Sequence, residues 1–262
     1  GQNVDIFLWF GGGLKKDFKK ASEMAQATAV DFEQLLDLCA TKFPKTRFRF
    51  STSNPQDMSL DVIHTMAKHT NICKYIHLPV QSGSNAMLKA MNRQHTREEY
   101  MELVDNIYKI IPEMSLSQDM IVGFCGETEQ DHKDTLELME YVKYDFGYMY
   151  SYSDRPGTAA GKNLADNIPE TLKSKRLAEV IAVQRKHAAM HTQNRIGKIE
   201  TVLVEGVSKK SEKDLMGRNN YNAVVVFPRE TYKIGDLVAV KIIDCTSGTL
   251  LGKAISHTKL SS

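Results

Sequence analysis

The sequence predicts an α/β chain in two parts: a partial parallel (β/α) barrel, then a small antiparallel β-barrel of the OB type. Three observations point there. Apolar segments of period two alternate with segments of period 3.6 as far as residue 153, a single long charged helix pattern covers 169–196, and only period-two segments follow it.

In order, DFEQLLDLCATKF (31–43) puts Phe32, Leu35, Leu36, Cys39 and Phe43 on one helical face behind Asp31, an N-cap residue. RFRFSTS (47–53) alternates and then meets Asn54-Pro55, a strand running into a turn. SLDVIHTMAKH (59–69) is helical again, and YIHLPV (75–80) is a strand checked by Pro79. TREEYMELVDNIYKII (96–111) has Thr96 and Glu99 at capping-box spacing and runs on to Pro112. SLSQDMIVGF (115–124) is the next strand, EQDHKDTLELMEYVKY (129–144) the next helix, and FGYMYSYS (146–153) the last strand of the series.

Four or five βα units in succession imply parallel strands joined by right-handed crossovers. They are too few for an eight-fold barrel and suit the later units of a partial one. The start GQNVDIFLWF, apolar and without Met, reads as a cut within a longer protein. Working residues in such sheets gather at the C-terminal strand ends. Here those ends are Ser51-Thr52-Ser53-Asn54, Pro79-Val80-Gln81-Ser82, Gly123-Phe124-Cys125-Gly126 and Ser151-Tyr152-Ser153, all suited to a ligand mouth.

The helix pattern of 169–196 carries an Arg/Lys-rich face expected to be exposed. Its His187 and His191 stand four apart, but Ala188 occupies the place of the glutamate in H-E-x-x-H, which argues against a zinc site. After it, IETVLVEGV, NAVVVF, DLVAVKIIDC and LLGKAI are separated by Gly, Asn-Asn and Pro signals, the rhythm of a small barrel.

Net charge is +2 over 262 residues but uneven: from Arg195 onward eleven Lys/Arg face seven Asp/Glu. A basic tail domain on a mildly acidic body suits a polyanionic partner, with solvated lysines on a plain β-barrel as the alternative. The loops of that barrel hold Lys209, Lys210, Lys213, Arg218 and the tip Asn219-Asn220-Tyr221, cations beside amides and an aromatic. No run approaches the roughly 20 apolar residues of a membrane span, and no secretory leader is expected. The four cysteines, Cys39, Cys73, Cys125 and Cys245, form no C-x-x-C pair and read as thiols in a reducing cytosol. Cys125 follows Gly123 by two places, but Gly126 comes one place too early for the elbow of a nucleophilic hydrolase.

HLPVQSGSNAMLKAMNRQHTREEY (77–100), DMIVGFCGET (119–128) and SYSDRPGT (151–158), in this order and at these separations, resemble the methylthiotransferases of the radical SAM superfamily. VEGVSKKSEKDLMGR (204–218), followed by VVVFP and GDLVAVKIIDCTSGTLLGKAI, resembles the TRAM domain that ends those proteins. The likeness covers essentially the whole chain and is strongest to the tRNA branch, the MiaB-type tRNA-2-methylthio-adenosine synthases. GQNV resembles the strand end just after the family's cluster loop. Where the family commonly has GFPGE this chain has Cys125 for the proline, a change of turn stiffness rather than chemistry.

The resemblance implies residues 1–194 as the later part of a radical SAM barrel and 195–262 as an RNA-binding TRAM domain. It implies an S-adenosylmethionine (SAM)-dependent enzyme that replaces the C2–H of an isopentenylated adenosine beside the anticodon with a methylthio group. Two [4Fe–4S] clusters go with that chemistry, and their ligating cysteines are not in this chain, so the chain alone is expected to be inactive. Cofactor contacts are implied for Gln2, Ser51, Thr52, Gln81, Ser82, Arg93, Asp119, Ile121 and Gly123. RNA contacts are implied for Arg155, Lys209, Lys210, Lys213, Arg218 and Asn220; no catalytic side chain or metal ligand is assigned. The expected partner is a tRNA anticodon stem-loop, and the expected protein a cytoplasmic monomer. Two alternatives stay open: the branch that methylthiolates a ribosomal-protein aspartate, and a non-catalytic RNA-binding module.

Overall fold

The computed structural model describes residues 8–9, 22–51, 54–154, 160–161 and 164–257. A two-residue pair, β1 (Leu8–Trp9) with β2 (Val30–Asp31), is antiparallel and flanks α1 (Glu23–Ala27). Then come α2 (Phe32–Lys42), α3 (Leu60–Lys68), β3 (Tyr75–His77), α4 (Asn85–Ala90), α5 (Arg97–Ile110), β4 (Ser115–Val122), α6 (Glu129–Val142), β5 (Phe146–Ser151) and α7 (Glu170–Gln193). Strands β3, β4 and β5 are parallel neighbours in chain order, as successive βα repeats produce. The helix starts follow local chemistry: Asp31, Thr96 and Thr128 each close a capping box, with Gln34, Glu99 and Asp131.

The sheet's two faces differ. One face, with Ile76, Leu78, Leu116, Met120 and Val122, packs on α5, α6 and α7 through Tyr100, Val104, Ile107, Leu138, Met139 and Val180. Each such buried aliphatic side chain contributes roughly 1.5–3 kcal/mol. The other face carries Tyr75 and His77 on β3, Ser117, Asp119 and Ile121 on β4, and Tyr148 and Tyr150 on β5. It is polar and aromatic, and Tyr148 and Tyr150 are each about half exposed.

Two expected strands are shorter than their patterns. Of 47–51, only Phe48 pairs, in a single parallel bridge to Ile72, because its partner segment 71–74 is turn and bend rather than extended chain. The 75–80 strand stops at His77, since Pro79 has no N–H for the ladder, and pairing resumes as one bridge between Gln81 and Met120. The face of α7 also differs from its pattern. Lys173, Arg176, Gln184 and His187 are buried together with Val180, so a largely polar stripe docks the helix. Gln184 donates to the Tyr144 carbonyl at 2.9 Å, and His187 meets Glu140 at 3.1 Å.

Beyond α7, β6 (Ile199–Ser208), β7 (Ser211–Arg218), β8 (Val224–Pro228), β9 (Leu237–Cys245) and β10 (Thr249–His257) close a barrel in the order β10-β8-β7-β6-β9. Closure comes through β8 and β10, which are parallel; the remaining pairs are antiparallel. Inward positions Val202, Val204, Leu215, Val225, Phe227, Val238, Val240, Ile242 and Leu250 fill it. Strand β7 is not among the strands the sequence pattern marks, because SEKDLMGR is charged over its first half.

The barrel sits at the N-terminal end of the sheet. Phe146, at the start of β5, packs against the barrel core. Arg47 donates to the carbonyls of Arg218 (2.9 Å) and Thr201 (3.0 Å), and the Arg195 guanidinium lies 3.7 Å from the Tyr221 ring centroid. The Tyr221 hydroxyl donates to Glu113.

Candidate functional site

At the C-terminal edge of β4 and β5 lies a cavity of about 550 Å³. Gln81, Asn92, Arg93, Asp119, Ser151 and Ser153 supply its polar lining, and Ala90, Met91, Ile121, Phe124, Tyr150, Tyr152 and Ala160 the rest. Gln81 reaches it through a left-handed backbone (φ 77°), held because its N–H donates to Asp119 O and its carbonyl accepts from Ile121 N–H, both at 2.9 Å. Arg93 follows the turn that ends α4, where its N–H donates to Leu88 O at 2.8 Å. Its guanidinium has no hydrogen-bond partner among the described residues. Burial lowers its hold on the proton, and the Asp119 carboxylate opposes that. A half-buried, unpaired guanidinium beside an apolar wall suits a planar anion such as a carboxylate.

The loop after β4 forms one rim of the cavity. Gly123 is left-handed (φ 70°), and a Cβ there would also collide with the Lys173 stem. Its N–H donates to Glu127 Oε2 at 2.7 Å, while Tyr152 N–H donates to Val122 O at 2.8 Å, so the Val122–Gly123 peptide is pinned at both ends. The same Glu127 oxygen accepts from Arg176 at 2.8 Å, and both side chains are almost wholly buried. Burial raises the Glu127 pKa, against the pull of the Gly123 N–H and of Arg176. Gly126 N–H donates to Asn167 Oδ1 at 2.8 Å. Phe124 and Tyr152 meet edge to face at 4.8 Å, and the Lys173 ammonium, bonded to Asp166 and Glu170, lies 5.7 Å from the Tyr152 ring.

The sequence profile of the Radical SAM superfamily matches residues 3–139. The chain belongs to the radical SAM superfamily. A TRAM-domain profile matches residues 193–255, the closed barrel. Among curated relatives, the tRNA-2-methylthio-N(6)-dimethylallyladenosine synthase of Flavobacterium johnsoniae is 62% identical over 260 residues, covering 99% of this chain and 54% of that protein. The protein of the same name from Bacteroides fragilis is 49% identical over 226 residues, 86% of this chain and 50% of that protein. The chain thus spans about half the length of the curated relatives it matches. A solved structure titled as coproporphyrinogen III oxidase of Escherichia coli, a radical SAM enzyme, aligns with TM-score 0.49 at 15% identity over 85% of this chain and 52% of that one, too slight a likeness to argue from.

Radical SAM membership implies SAM and iron–sulfur chemistry in general. The cavity fits the first: its volume, its apolar wall and the unpaired guanidinium match a nucleoside joined to an amino acid. The described residues do not fit a cluster, since no group of three or more His, Cys, Asp or Glu is placed among them to hold a metal. The four cysteines are free thiols, and Cys125 packs with Met87 and Phe124.

Of the nine cofactor candidates, the cavity gathers Gln81, Arg93, Asp119 and Ile121, with Gly123 just behind the rim. Ser82 is buried, meets Thr135 at 3.3 Å and accepts from Ser84 N–H, so its hydroxyl is spent against α6. Gly83 beside it has room for no Cβ against the α6 backbone. Ser51 is exposed and outside the cavity lining. Gln2 and Thr52, like Arg155 among the RNA candidates, lie outside the described residues. The sequence marks Phe124 at a strand end but does not single out Met91, Tyr150, or the buried cations Lys173 and Arg176. Tyr150 is legible as the face partner of Ile121, whereas a buried cation in a charged helix leaves no sequence signal.

The RNA candidates divide. Lys209, Lys210 and Lys213 are exposed on the β6–β7 hairpin. Arg218, at the far end of β7, pairs with Glu205, Asn220 is half-buried, and the neighbouring Tyr221 is committed to Arg195 and Glu113. From Ser211 to Arg218 strand β7 spans roughly 23 Å, so the lysines of the hairpin and the residues of the junction stand at its opposite ends.

Proposed function

We propose that this chain is the SAM-cradling and RNA-facing part of a tRNA methylthiotransferase that modifies C2 of an isopentenylated adenosine next to the anticodon. The 62% identity to a protein named for that reaction carries the reading. We place the barrel part at 1–194 and the TRAM part at 195–262, in a cytoplasmic monomer, with the two [4Fe–4S] clusters held by residues outside this chain. The chain alone is then inactive.

Bound in the cavity, SAM would supply the hydrogen-abstracting deoxyadenosyl group and the methyl group. Ile121 and the apolar wall would take the adenine, with Gln81 on its polar edge or on the ribose. Arg93 would hold the carboxylate, with Asp119 keeping the guanidinium charged and oriented. Lys209, Lys210 and Lys213 would neutralise backbone phosphates of the stem-loop, a contribution independent of base identity.

The test is a titration of an anticodon stem-loop against the protein over a salt series. Binding should weaken with salt. The triple variant Lys209→Ala, Lys210→Ala, Lys213→Ala should bind more weakly at low salt and flatten the log–log slope by about 2. Absence of binding at low salt overturns the RNA reading.

A further inference from the structure

We propose that Arg176 and Glu127 are positioning residues for the cofactor: together they hold the Gly123 peptide, and so the Ile121–Gly126 rim of the cavity, in the geometry that accepts SAM. This rests on the reading of the cavity as the SAM site.

Three observations carry it. First, the contact is specific. One Glu127 oxygen receives both the Gly123 N–H, at 2.7 Å, and an Arg176 N–H, at 2.8 Å, and the same Arg176 nitrogen donates to the Glu127 carbonyl at 3.0 Å. Second, the cost is high for a merely structural device. The Glu127 side chain is 0% exposed and that of Arg176 3%, and a buried pair of this kind is commonly no more stabilising than apolar side chains of the same volume. Among the described residues Glu127 Oε1 and Arg176 Nε have no hydrogen-bond partner, and beyond Glu127 the guanidinium reaches only the Glu129 carboxylate, at 3.6 Å, so the bonds the pair does make converge on the Glu127 end of the loop. Third, the loop has few bonds besides this one: Glu127 N–H donates to Phe124 O at 2.9 Å and Gly126 N–H to Asn167 Oδ1 at 2.8 Å. Gly123 and Gly126 are both left-handed, a conformation glycine leaves freely. Val122 O is fixed by Tyr152 N–H, so the Gly123 N–H is the remaining handle on that peptide, and Glu127 takes it. A rim that is rigid before the ligand arrives spares the ordering cost on binding.

The experiment uses the full-length, cluster-loaded protein under anaerobic conditions and reads the SAM dissociation constant by calorimetry, with the thermal midpoint measured in parallel. Glu127→Ala and Arg176→Met should weaken SAM binding about tenfold or more, whereas Glu127→Gln, which keeps an oxygen for the Gly123 N–H, should stay within about threefold of wild type. Val180→Ala, in the same helix and fully buried but away from the loop, lowers the midpoint and should leave the affinity unchanged. Where Arg176→Met does not fold, the Glu127→Gln and Glu127→Ala pair decides. The proposal is overturned if Glu127→Gln and Glu127→Ala bind SAM alike, or if Val180→Ala weakens binding as much as they do. Failure of the underlying reading looks different: Ile121→Ala and Gln81→Ala, which line the cavity itself, would then leave SAM affinity untouched.

Discussion

The three-stranded sheet and the five-stranded barrel face the same difficulty, unpaired strand edges, and meet it differently. The barrel closes on itself through β8 and β10 and encloses an aliphatic core. The sheet closes nothing. It spends one face on helices and leaves the other polar and less covered, with Tyr148 and Tyr150 about half exposed and with Asp119 and Tyr150 lining the cavity. Closure gives autonomy and leaves function to surface loops; an open face gives up autonomy and gains a site. His77 illustrates the second case: Ser117 Oγ lies 2.8 Å from its Nδ1 and Asp119 Oδ2 3.5 Å from its Nε2, a polar chain that no apolar core would hold.

The sharpest test of that contrast is Phe227→Ala in the closed barrel. It should cost about 3–5 kcal/mol. Urea unfolding followed by hydrogen exchange should show protection lost in β6–β10 and retained in α5 and α6. Loss of protection in both regions at once would mean the barrel is not autonomous. A smaller effect is expected at the junction. Arg47→Ala removes charged bonds to two barrel carbonyls and should lower stability by about 1.5–3 kcal/mol, with increased exchange confined to the ends of β6 and β7.

The smallest effect is in pH dependence. Glu127 has its pKa raised in the fold, chiefly by burial, so its contribution is fully present below the ordinary value of 4.5 and is lost as pH rises through the raised native value. Glu140 is lowered by its bonds to Lys186 and His187, so its contribution is present above 4.5 and lost as pH falls through the lowered value. Glu127→Gln should therefore remove a downward slope above pH 4.5 from the urea midpoint, and Glu140→Gln an upward one below it.

Much of the fold is legible in the sequence because it rests on local chemistry. The capping residues Asp31 and Thr96, the period-two strands and the Pro79 stop all act over a few residues. The short 47–51 segment is not, because whether it pairs depends on the turn at 71–74 across from it. At the site, Gln81 sits at a strand end that the sequence marks, whereas Arg93, Asp119 and Ile121 are reached only through the family resemblance. Ser82 looks the same as Gln81 in sequence and is turned toward Thr135, a matter of which way one hydroxyl faces. Lys173 and Arg176 are hidden for a different reason. Cations in a charged helix read as solvated until the carboxylates that bury them, Asp166 and Glu127, are seen.

Helix α7 contacts the cavity rim with its first turns, meets the Lys143 carbonyl at the end of α6 through His191, and leads into Arg195, which covers Tyr221 of the TRAM barrel. Its 24 residues span roughly 36 Å, and each residue added would advance everything beyond it by about 1.5 Å and turn it by about 100°. The helix is therefore a gauge of both distance and phase. A one-residue insertion between Arg176 and His187 cannot keep both the Arg176–Glu127 contact and the Arg195–Tyr221 contact in place at once.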